Sequence, residues 1–529
     1  MRDGIAKAAA AQAEQLQSES PEGKAQEIEL KLEGGLAAVK AAFNAIKTSD
    51  AEAEPRARNL ASTYYDTADG ALRAKRHVLR VRKSYRRYIA TLKWQADESN
   101  ALVRGEREAR LASSDLDIAC LGPDIAAAVL GVTKGAPLVE QFTTQIKRRV
   151  RTVNTGHTQI EAAFDTGAVV AADRREPVCE LELELKGGDE VGLYEFAAEL
   201  CVAHGLRLGV LTKAERGFML AAREELQERR SRAPDISDEA SVDTLVGAVI
   251  GECLDQFTAN WPVLHCAGKA EAIHQMRVGL RRLRVALALF NRAMPCEQFL
   301  IFRAEAKQLA AAMGPARDID AFITLAQKGP LSFYGRDESF DKLLTAAAKH
   351  REASYARVRA VITDQQTTRF VLELRAFLAR RGWRNSVEAA DLPKLNQPAA
   401  GFAKLALKQL DKRTLKRGKK LAELLPAERH ELRIALKNLR YAAEFFGSLF
   451  SSAAVKKYNR AAAELQEALG SYNDAIVAKD IVGLLEEQAG PASARAAGVM
   501  IGWCARGSID AGHDLLGAWK TFRRADRFW

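Results

Sequence analysis

Two short segments of strictly alternating charge place the strongest constraint on the fold of this chain. Residues 27–33 read Glu-Ile-Glu-Leu-Lys-Leu-Glu, and residues 180–186 read Glu-Leu-Glu-Leu-Glu-Leu-Lys. Side chains alternate between the two faces of a strand, so each segment predicts a strand with one charged and one apolar face. A single strand of this kind is usually the solvated face of an antiparallel sheet. Two carboxylate ladders with lysines among them favour a site that holds a divalent cation together with a phosphate chain.

Further segments between these two strands also carry their charges on one face. The charged pairs that lie two or four residues apart are Arg80 and Arg82, Arg104 and Glu106, and Glu161 and Asp165. Several such strands predict a barrel with a polar lumen and an apolar outer side that packs on helices. A lumen that contains both signs of charge is costly unless a ligand and a metal neutralise it.

An ordered set of motifs follows the first strand. After Glu-x-Glu-x-Lys at residues 27–31 come Tyr-Tyr-Asp-Thr at 64–67, Leu-Arg-Val-Arg at 79–82, Thr-Leu-Lys at 91–93 and Leu-Thr-Lys-Ala-Glu-Arg-Gly at 211–217. In this order they resemble the CYTH domain of the triphosphate tunnel metalloenzymes. The resemblance implies an eight-stranded antiparallel β tunnel with flanking helices, which binds a triphosphate group and Mg²⁺ or Mn²⁺.

The resemblance also implies roles for individual residues. The implied metal ligands are Glu27, Glu29, Glu182 and Glu184, with Glu180 on the same ladder. The implied catalytic residues are Glu27, Glu29, Lys31, Glu161 and Asp165. The implied substrate-binding residues are Lys31, Arg80, Arg82, Lys93, Arg104, Arg148, Lys213 and Arg216. Phosphoryl transfer fits this set, because it mainly requires positioning and charge neutralisation.

Composition sets limits on the class of protein. The chain has 529 residues, enough for two or three domains, and a formal net charge of +11, which favours a polyanionic partner. Seven widely spaced cysteines form no disulfide pattern and predict a reducing compartment. No apolar run approaches a signal peptide or a membrane span. The sequence therefore predicts a cytoplasmic protein, with polyphosphate granules as a place of association.

Changes in pattern predict the domain boundaries. Residues 1–26 are rich in Ala, Gln and Glu and predict a frayed helix or a disordered leader. The tunnel domain is expected at 27–227 and a polar linker at 228–236, which contains a Pro-Asp pair. From 237 to 529 the strand patterns disappear and apolar residues recur at helical spacing. The two halves of this helical domain are expected at about 237–380 and 400–529.

The helical domain contains an internal repeat. The segment His-x-x-Arg-x-x-x-Arg/Lys-x-x-Arg occurs at residues 274–284 and again at 430–440, an offset of 156 residues. Gly314 recurs as Gly470, and Leu254-Asp255 recurs as Leu410-Asp411, at the same offset. Three blocks with one offset indicate the duplication of a helical unit.

Each repeated segment places basic residues along one helix face. At 100° per residue, the four basic positions of each copy fall within an arc of about 80°, beside a separate apolar stripe. We call these two sets the basic rails, and they consist of His274, Arg277, Arg281 and Arg284, and of His430, Arg433, Lys437 and Arg440. A solvated helix face is the plainer interpretation of either rail alone. Their recurrence, with no acidic residue on the rails, favours a linear polyanion as the ligand.

This half resembles a CHAD domain, the conserved-histidine α-helical domain. The resemblance covers about residues 237–528 and rests on the two His-x-x-Arg helices, with Arg317-Asp318 and Asn473-Asp474 in later helices. It implies an all-α domain of two pseudo-symmetric four-helix bundles that bind inorganic polyphosphate. Lys437 stands where the first copy has Arg281, which keeps the charge but loses bidentate phosphate geometry.

The sequence thus predicts an α+β multidomain protein that hydrolyses inorganic triphosphate in its tunnel and binds polyphosphate through its helical half. Several alternatives stay open. The tunnel residues would also suit an adenylate cyclase, a thiamine triphosphatase or an RNA triphosphatase. The protein could instead be a catalytically idle polyphosphate scaffold, or a purely structural helical one. Specific nucleic-acid binding is not expected, because the rails lack aromatic residues that stack bases.

Overall fold

The computed structural model describes residues 26–48, 56–85, 87–95, 103–113, 116–223 and 225–529. The predicted leader therefore lies outside the described residues, apart from residue 26. The chain forms two compact units. The first unit comprises Met1–Gln227 and Thr363–Arg380, and the second comprises Glu228–Ile362 and Arg381–Trp529.

The first unit is built on a closed antiparallel barrel. Its strands are β1 (Gln26–Glu33), β2 (Arg58–Thr67), β3 (His77–Ser84), β4 (Arg87–Gln95), β5 (Val103–Leu111), β6 (Leu138–Thr155), β7 (Thr158–Ala171) and β8 (Arg174–Gly187), with a short β9 (Arg207–Gly209). Hydrogen bonding follows the order β5-β4-β3-β2-β6-β7-β8-β1, β9 adds to β1, and pairing of β5 with β1 closes the barrel. The predicted eight-stranded antiparallel barrel is confirmed.

Helices pack on the outer side of the barrel. The helices of the first unit up to residue 222 are α1 (Leu36–Ala45), α2 (Ala71–Ala74), α3 (Pro123–Thr133), α4 (Glu190–His204) and α5 (Lys213–Ala222), with a 3₁₀ turn at Ile118–Cys120. Leu30 and Leu32 of β1 and Leu181 and Leu183 of β8 are completely buried in a core that α1 and α4 share. The alternation seen in the sequence therefore sends the apolar side chains outward to the helices and the charges inward.

The Tyr-Tyr-Asp-Thr motif at 64–67 has a structural role at the end of β2. The Asp66 carboxylate accepts hydrogen bonds from the backbone N–H groups of Thr67, Leu72 and Arg73 at 2.7, 2.8 and 3.0 Å. These contacts satisfy donors at the start of the short α2, whose backbone has no other helical partner there. Asp66 is buried and thus fixes the turn from β2 into α2.

Helix α5 packs inside one end of the barrel. A capping box of Thr212 and Glu215 starts the helix. The Phe218 ring meets the edge of Phe142, with ring centroids 5.0 Å apart, and Phe142 stacks on Tyr64, which lines the lumen. A Cβ at Gly217 would lie 2.0 Å from the Phe142 ring, so this close packing requires glycine. Apolar side chains therefore fill this end of the barrel.

The second unit is helical. The remaining helices of the chain are α6 (Val242–Thr258), α7 (Trp261–Ala267), α8 (Ala270–Ala293), α9 (Glu297–Ala312), α10 (Gly314–Lys328), α11 (Pro330–Tyr334), α12 (Glu338–Thr363), α13 (Gln365–Ala379), α14 (Leu392–Leu395), α15 (Ala399–Arg417), α16 (Pro426–Phe445), α17 (Ser452–Ala468), α18 (Ser471–Ala489) and α19 (Ala494–Arg524). Short 3₁₀ turns lie at Gly382–Ser386, Leu421–Glu423, Gly447–Leu449 and Pro491–Ser493. The predicted helical C-terminal region is confirmed.

The long helices of the second unit follow the predicted repeat. Helices α6, α8, α9, α10 and α12 correspond to α15, α16, α17, α18 and α19, and each pair begins within two residues of the 156-residue offset. Leu280 and Leu283 of α8, and Leu436 and Leu439 of α16, are completely buried. The apolar stripes next to the two rails therefore form core contacts, as the helical spacing predicted.

Residues 363–380 are an exception to the predicted boundary. The sequence placed them in the first half of the helical domain, expected at about 237–380, but helix α13 belongs to the first unit. It contacts α4, and its Leu372 and Ala376 join the core that α1 and α4 share. The spacing of apolar residues predicts a helix, but it does not reveal which core that helix enters.

Candidate functional site

The barrel encloses a cavity of about 330 Å³ that is lined mainly by charged side chains. Its acidic lining consists of Glu27, Glu29, Glu106, Glu108, Glu161, Asp165, Glu182 and Glu184. Its basic lining consists of Lys31, Arg80, Arg82, Lys93, Arg104, Arg148, Lys186 and Lys213. Eight acidic and eight basic residues thus balance each other around the cavity.

The lining includes every predicted tunnel residue except Arg216. The Arg216 guanidinium is held away from the lining by Glu176, with Nε 2.6 Å from Oε1, and also donates to the carbonyl of Pro177. Three charged lining residues, Glu106, Glu108 and Lys186, were not among the predicted site residues. Strand alternation could have found them, because they lie two or four residues from predicted ones on β5 and β8.

One row of carboxylates runs across three neighbouring strands. Glu184 of β8 is the direct cross-strand partner of both Glu29 on β1 and Glu161 on β7. Burial raises the pKa of Glu184; Lys186 opposes this shift, while Glu27 and Glu29 add to it. Neighbouring cations therefore neutralise the negative charge of Glu29, Glu161 and Glu184 only in part. We call these three residues the carboxylate row.

A second group of carboxylates surrounds Lys213. Oxygen atoms of Asp165, Glu180 and Glu182 lie within 4.8 Å of one another. The Lys213 Nζ lies 2.7 Å from Asp165 Oδ2 and 2.8 Å from Glu182 Oε1, and it also contacts Glu180. Burial alone would raise the pKa of Glu182, but Lys213 and Arg148 hold it well below its usual value. Basic side chains thus already compensate this group.

Arginine side chains on β3 face the cavity without full compensation. The Nε atoms of Arg80 and Arg82 are buried and have no hydrogen-bond acceptor among the described residues. The positive charge of Arg80, together with burial, lowers the pKa of Arg82 to about 10. Nearby, Lys93 donates to Glu27 at 2.7 Å. The Arg80–Arg82 side of the cavity therefore has donors and positive charge that an anion would satisfy.

The first basic rail is partly buried in the second unit. Arg277 of α8 donates to the carbonyl of Ala310, 3.3 Å away near the end of α9. A Cβ at Gly314 would lie 3.0 Å from the Arg277 guanidinium. Burial and the neighbouring Arg317 lower the pKa of His274. Arg277 therefore supports the helix packing in addition to contributing charge, and the repeated glycine leaves space for it.

The second rail lies on α16 and differs in detail. Gly470 faces Arg433 as Gly314 faces Arg277, since a Cβ there would lie 3.8 Å from Arg433 Nη2. His430 is exposed, whereas His274 is half-buried. No acidic residue is part of the rail itself, but Glu444 lies 3.8 Å from Arg440 at one end of it.

The two rail helices contact each other. Arg282 of α8 is completely buried, with its guanidinium 5.3 Å from the Phe445 ring centroid and its Nε 3.9 Å from Glu444 on α16. Arg282 also donates to Gln256 and to the carbonyl of Arg232 at 2.6 and 2.7 Å. Arg282 is a structural residue outside the rail, so Asn438 at the same position of the second copy removes no cation from the second rail.

The closed antiparallel barrel with a charged lumen is the architecture that the resemblance to the triphosphate tunnel metalloenzymes implied. A family model for the CYTH domain matches residues 25–218, and a model for the CHAD domain matches residues 248–483. The chain thus belongs to the proteins in which a CYTH domain is followed by a CHAD domain.

Individual relatives are distant. An inorganic triphosphatase of Haemophilus influenzae is 25% identical over 187 residues, which are 35% of this chain and 53% of that protein. The chain therefore matches about half the length of this curated relative. The crystal structure of a CHAD domain from Ricinus communis is 28% identical, with a TM-score of 0.47, and covers 57% of this chain and 99% of its own.

A second similar structure belongs to a putative adenylyl cyclase from Hippeastrum that is described as having a dominant triphosphatase activity. It is 16% identical, has a TM-score of 0.27 and covers 36% of this chain and 94% of its own. Across the described residues, no helix combines the length and the apolar character that a membrane crossing requires.

Proposed function

We propose that the CYTH domain hydrolyses inorganic triphosphate with a divalent metal ion, and that the CHAD domain binds inorganic polyphosphate. The observation that carries the first part is the charged cavity of about 330 Å³, whose lining combines eight acidic and eight basic side chains. A triphosphate brings about four negative charges, which several lysines and arginines in one lumen can balance.

The arginine side of the cavity suits the phosphate groups. Arg80 and Arg82 have buried Nε donors without acceptors among the described residues, and their mutual repulsion lowers the pKa of Arg82. A phosphate oxygen would accept these hydrogen bonds and relieve the repulsion. Arg104 and Lys93 line the same cavity and extend the set of donors.

The carboxylate row suits the metal ion. Glu29, Glu161 and Glu184 offer oxygen ligands, which Mg²⁺ and Mn²⁺ prefer, and Glu27 lines the same cavity. Glu182 was a predicted ligand, but Lys213 and Arg148 already neutralise it. We therefore assign Glu161 to the metal set in place of Glu182. A bound divalent ion would neutralise phosphate oxygens and make a bound water more acidic.

The remaining side chains position the substrate. Glu29 and Glu182 hold the pKa of Lys31 above its usual value, although burial alone would lower it, so Lys31 stays cationic between the row and the Lys213 group. Hydrolysis then requires no covalent nucleophile from the protein, because the chemistry depends on orientation and charge neutralisation.

The helical domain supplies the second part of the function. The two rails carry half-buried arginines on helices that contact each other, and burial lowers the pKa of Arg277 and Arg284. Cationic groups that are partly removed from water gain from a polyanion that replaces the lost solvation. The rails contain no aromatic side chain that would stack bases.

Phosphate release from a panel of substrates tests the tunnel assignment. The full chain should hydrolyse inorganic triphosphate with Mg²⁺ or Mn²⁺ and lose this activity with a chelator. Glu29→Gln keeps the size of the side chain but removes a ligand charge, and should lower turnover by about two orders of magnitude. Glu176→Gln, outside the cavity lining, is the matched control. Formation of cyclic AMP from ATP, or no reaction with any triphosphate, would refute the proposal.

Binding to long-chain polyphosphate tests the helical domain. Affinity for the full chain should fall steeply with salt, because binding releases condensed counterions. Arg281→Ala with Lys437→Ala should weaken binding while Glu29→Gln leaves it unchanged. Duplex DNA is stiff over about 150 bp and should bind less well than a flexible chain. Equal affinity for both at matched charge and salt would contradict a polyphosphate site.

A further inference from the structure

Helix α13 links the two parts of the chain in an unexpected way. It lies in sequence between the two helical repeats, yet it belongs to the compact unit of the barrel. Its Leu372 and Ala376 are at most 1% exposed and join the core formed with α1 and α4. At its end, Arg380 pairs with Glu195 of α4 at 2.7 Å. A segment of the helical half thus completes the core of the barrel unit.

The helix also makes a direct hydrogen bond to the edge of the barrel. The Leu208 N–H, in the middle of the three-residue strand β9, donates to Thr368 Oγ1 at 3.1 Å. Thr368 is completely buried, so this hydrogen bond is shielded from water. An unpaired buried N–H is costly, and Thr368 therefore contributes to holding β9 in place.

Strand β9 lies directly against the strand that carries the predicted metal ligands. Leu208 is the cross-strand partner of Leu32, and Gly209 is the partner of Lys31. A Cβ at Gly209 would lie 2.9 Å from the Glu33 side chain, so the two strands approach closely. The position of β9 therefore affects β1, on which Glu27, Glu29 and Lys31 point into the cavity.

We propose that α13 is a positioning element of the tunnel site: through Thr368 it holds β9 against β1, and so keeps Glu27, Glu29 and Lys31 of β1 in their working geometry. Thr368 is not part of the cavity lining and acts through Leu208, which makes it a positioning residue. The part of this proposal that concerns turnover rests on the proposed triphosphatase function. The part that concerns how firmly β9 and β1 are held in place does not rest on that function.

The segment directly after α13 belongs to the second unit. Arg381 contacts Asp243, and Trp383 donates from Nε1 to Asp243 Oδ1 at 2.7 Å. Asp243 and Trp383 are each 1% exposed and belong to the second unit. The change from the barrel unit to the second unit therefore falls between Arg380 and Arg381.

Amide hydrogen exchange of the full chain tests the proposal. Thr368→Val removes the acceptor but keeps the shape, Thr368→Ser retains the hydroxyl, and Glu373→Gln changes an exposed position of α13 as the matched control. Loss of one buried hydrogen bond predicts about tenfold faster exchange in β9 and in β1 for Thr368→Val. Thr368→Ser and Glu373→Gln should exchange at the wild-type rate.

Two further measurements separate positioning from general stability. Exchange in α8 should stay at the wild-type rate in Thr368→Val. Triphosphate hydrolysis should show a several-fold higher metal concentration at half-maximal rate, and Thr368→Ser should restore the wild-type value. Faster exchange in α8 and β1 alike, or unchanged exchange in β1, would overturn the proposal. If the wild-type chain releases no phosphate, the triphosphatase assignment fails, while exchange in β1 still decides the role of α13.

Discussion

Lys213 offers a direct measure of how the barrel stabilises its buried charge. Its ammonium group is within 2.8 Å of Asp165 and Glu182 and also contacts Glu180. All three carboxylates are buried, and Glu180 and Asp165 are completely inaccessible. Lys213→Met keeps most of the aliphatic volume but leaves three buried carboxylates with less positive charge.

The expected loss of stability follows from this geometry. Removing one partner of a buried ion pair typically costs about 3–5 kcal/mol, because the remaining charge stays buried without compensation. Arg148 also pairs with Asp165 and Glu182 and limits the loss, so we expect about 3 kcal/mol for Lys213→Met. Lys186→Met is the matched control: across the described part of the chain Lys186 forms an ion pair only with Glu184, and its side chain is 38% exposed, so its loss should cost less than about 1 kcal/mol.

Denaturant unfolding at pH 7 and pH 5 measures both the size and the cause of the effect. In the wild type, Lys213 helps to hold the pKa of Glu182 well below its usual value, so Glu182 stays ionised at both pH values. In Lys213→Met the pKa of buried Glu182 rises. A carboxyl group whose folded-state pKa lies above its unfolded value binds protons preferentially in the folded state, so acid stabilises the variant.

The difference between wild type and Lys213→Met should therefore shrink from pH 7 to pH 5. A loss equal to that of Lys186→Met, or a difference that grows as the pH falls, would refute the assignment of Lys213 as the main compensating charge. Either result would mean that the three carboxylates are solvated or protonated in the folded protein.

Two predictions concern the rails. Arg277→Ala should lower the free energy of unfolding by about 1 kcal/mol, because it loses the hydrogen bond to the carbonyl of Ala310. Arg281→Ala should instead weaken polyphosphate binding and leave stability nearly unchanged. Denaturant unfolding and titration calorimetry of both variants check these two expectations. Burial and Arg317 lower the pKa of His274, and a bound polyanion should raise it again, so binding takes up a proton and affinity should increase from pH 8 to pH 6. His274→Gln should reduce this increase, and an unchanged pH profile would contradict the role of His274.

Strand alternation predicted which charged side chains share a face, and the resemblance to the CYTH domain supplied the roles of individual residues such as Lys93, Arg148 and Lys213. A period of two determines which side chains share a face, and closing the sheet brings those faces together in one lumen. The same rule placed Glu29 and Glu184 in the cavity without any knowledge of their register. The pairing of Glu29 with Glu184 and Glu161 depends on the register of three strands, which residue spacing does not determine.

Other features depended on tertiary contacts that the pattern does not contain. The compensation of Glu182 by Lys213 requires that α5 enters the barrel, and an amphipathic helix gives no sign of whether it packs inside or outside. The packing of α13 with the barrel unit could not be predicted for a similar reason, because an apolar residue such as Leu372 would fit the core of either unit. Arg277 resembled a solvated cation in sequence, but Gly314 lets it approach the end of α9.

Helix α5 restricts how the barrel can exchange its contents. Phe218 and Phe142 fill the interior at the end where α5 enters, so among the described residues this end of the barrel is packed with apolar side chains. For the proposed hydrolysis, substrate and products would then exchange at the other end. A long phosphate chain would insert one terminus and would not thread through the barrel, which makes each cleavage a separate binding event. The proposed function therefore predicts distributive cleavage, in which repeated turnover on one long chain depends on keeping that chain nearby between events.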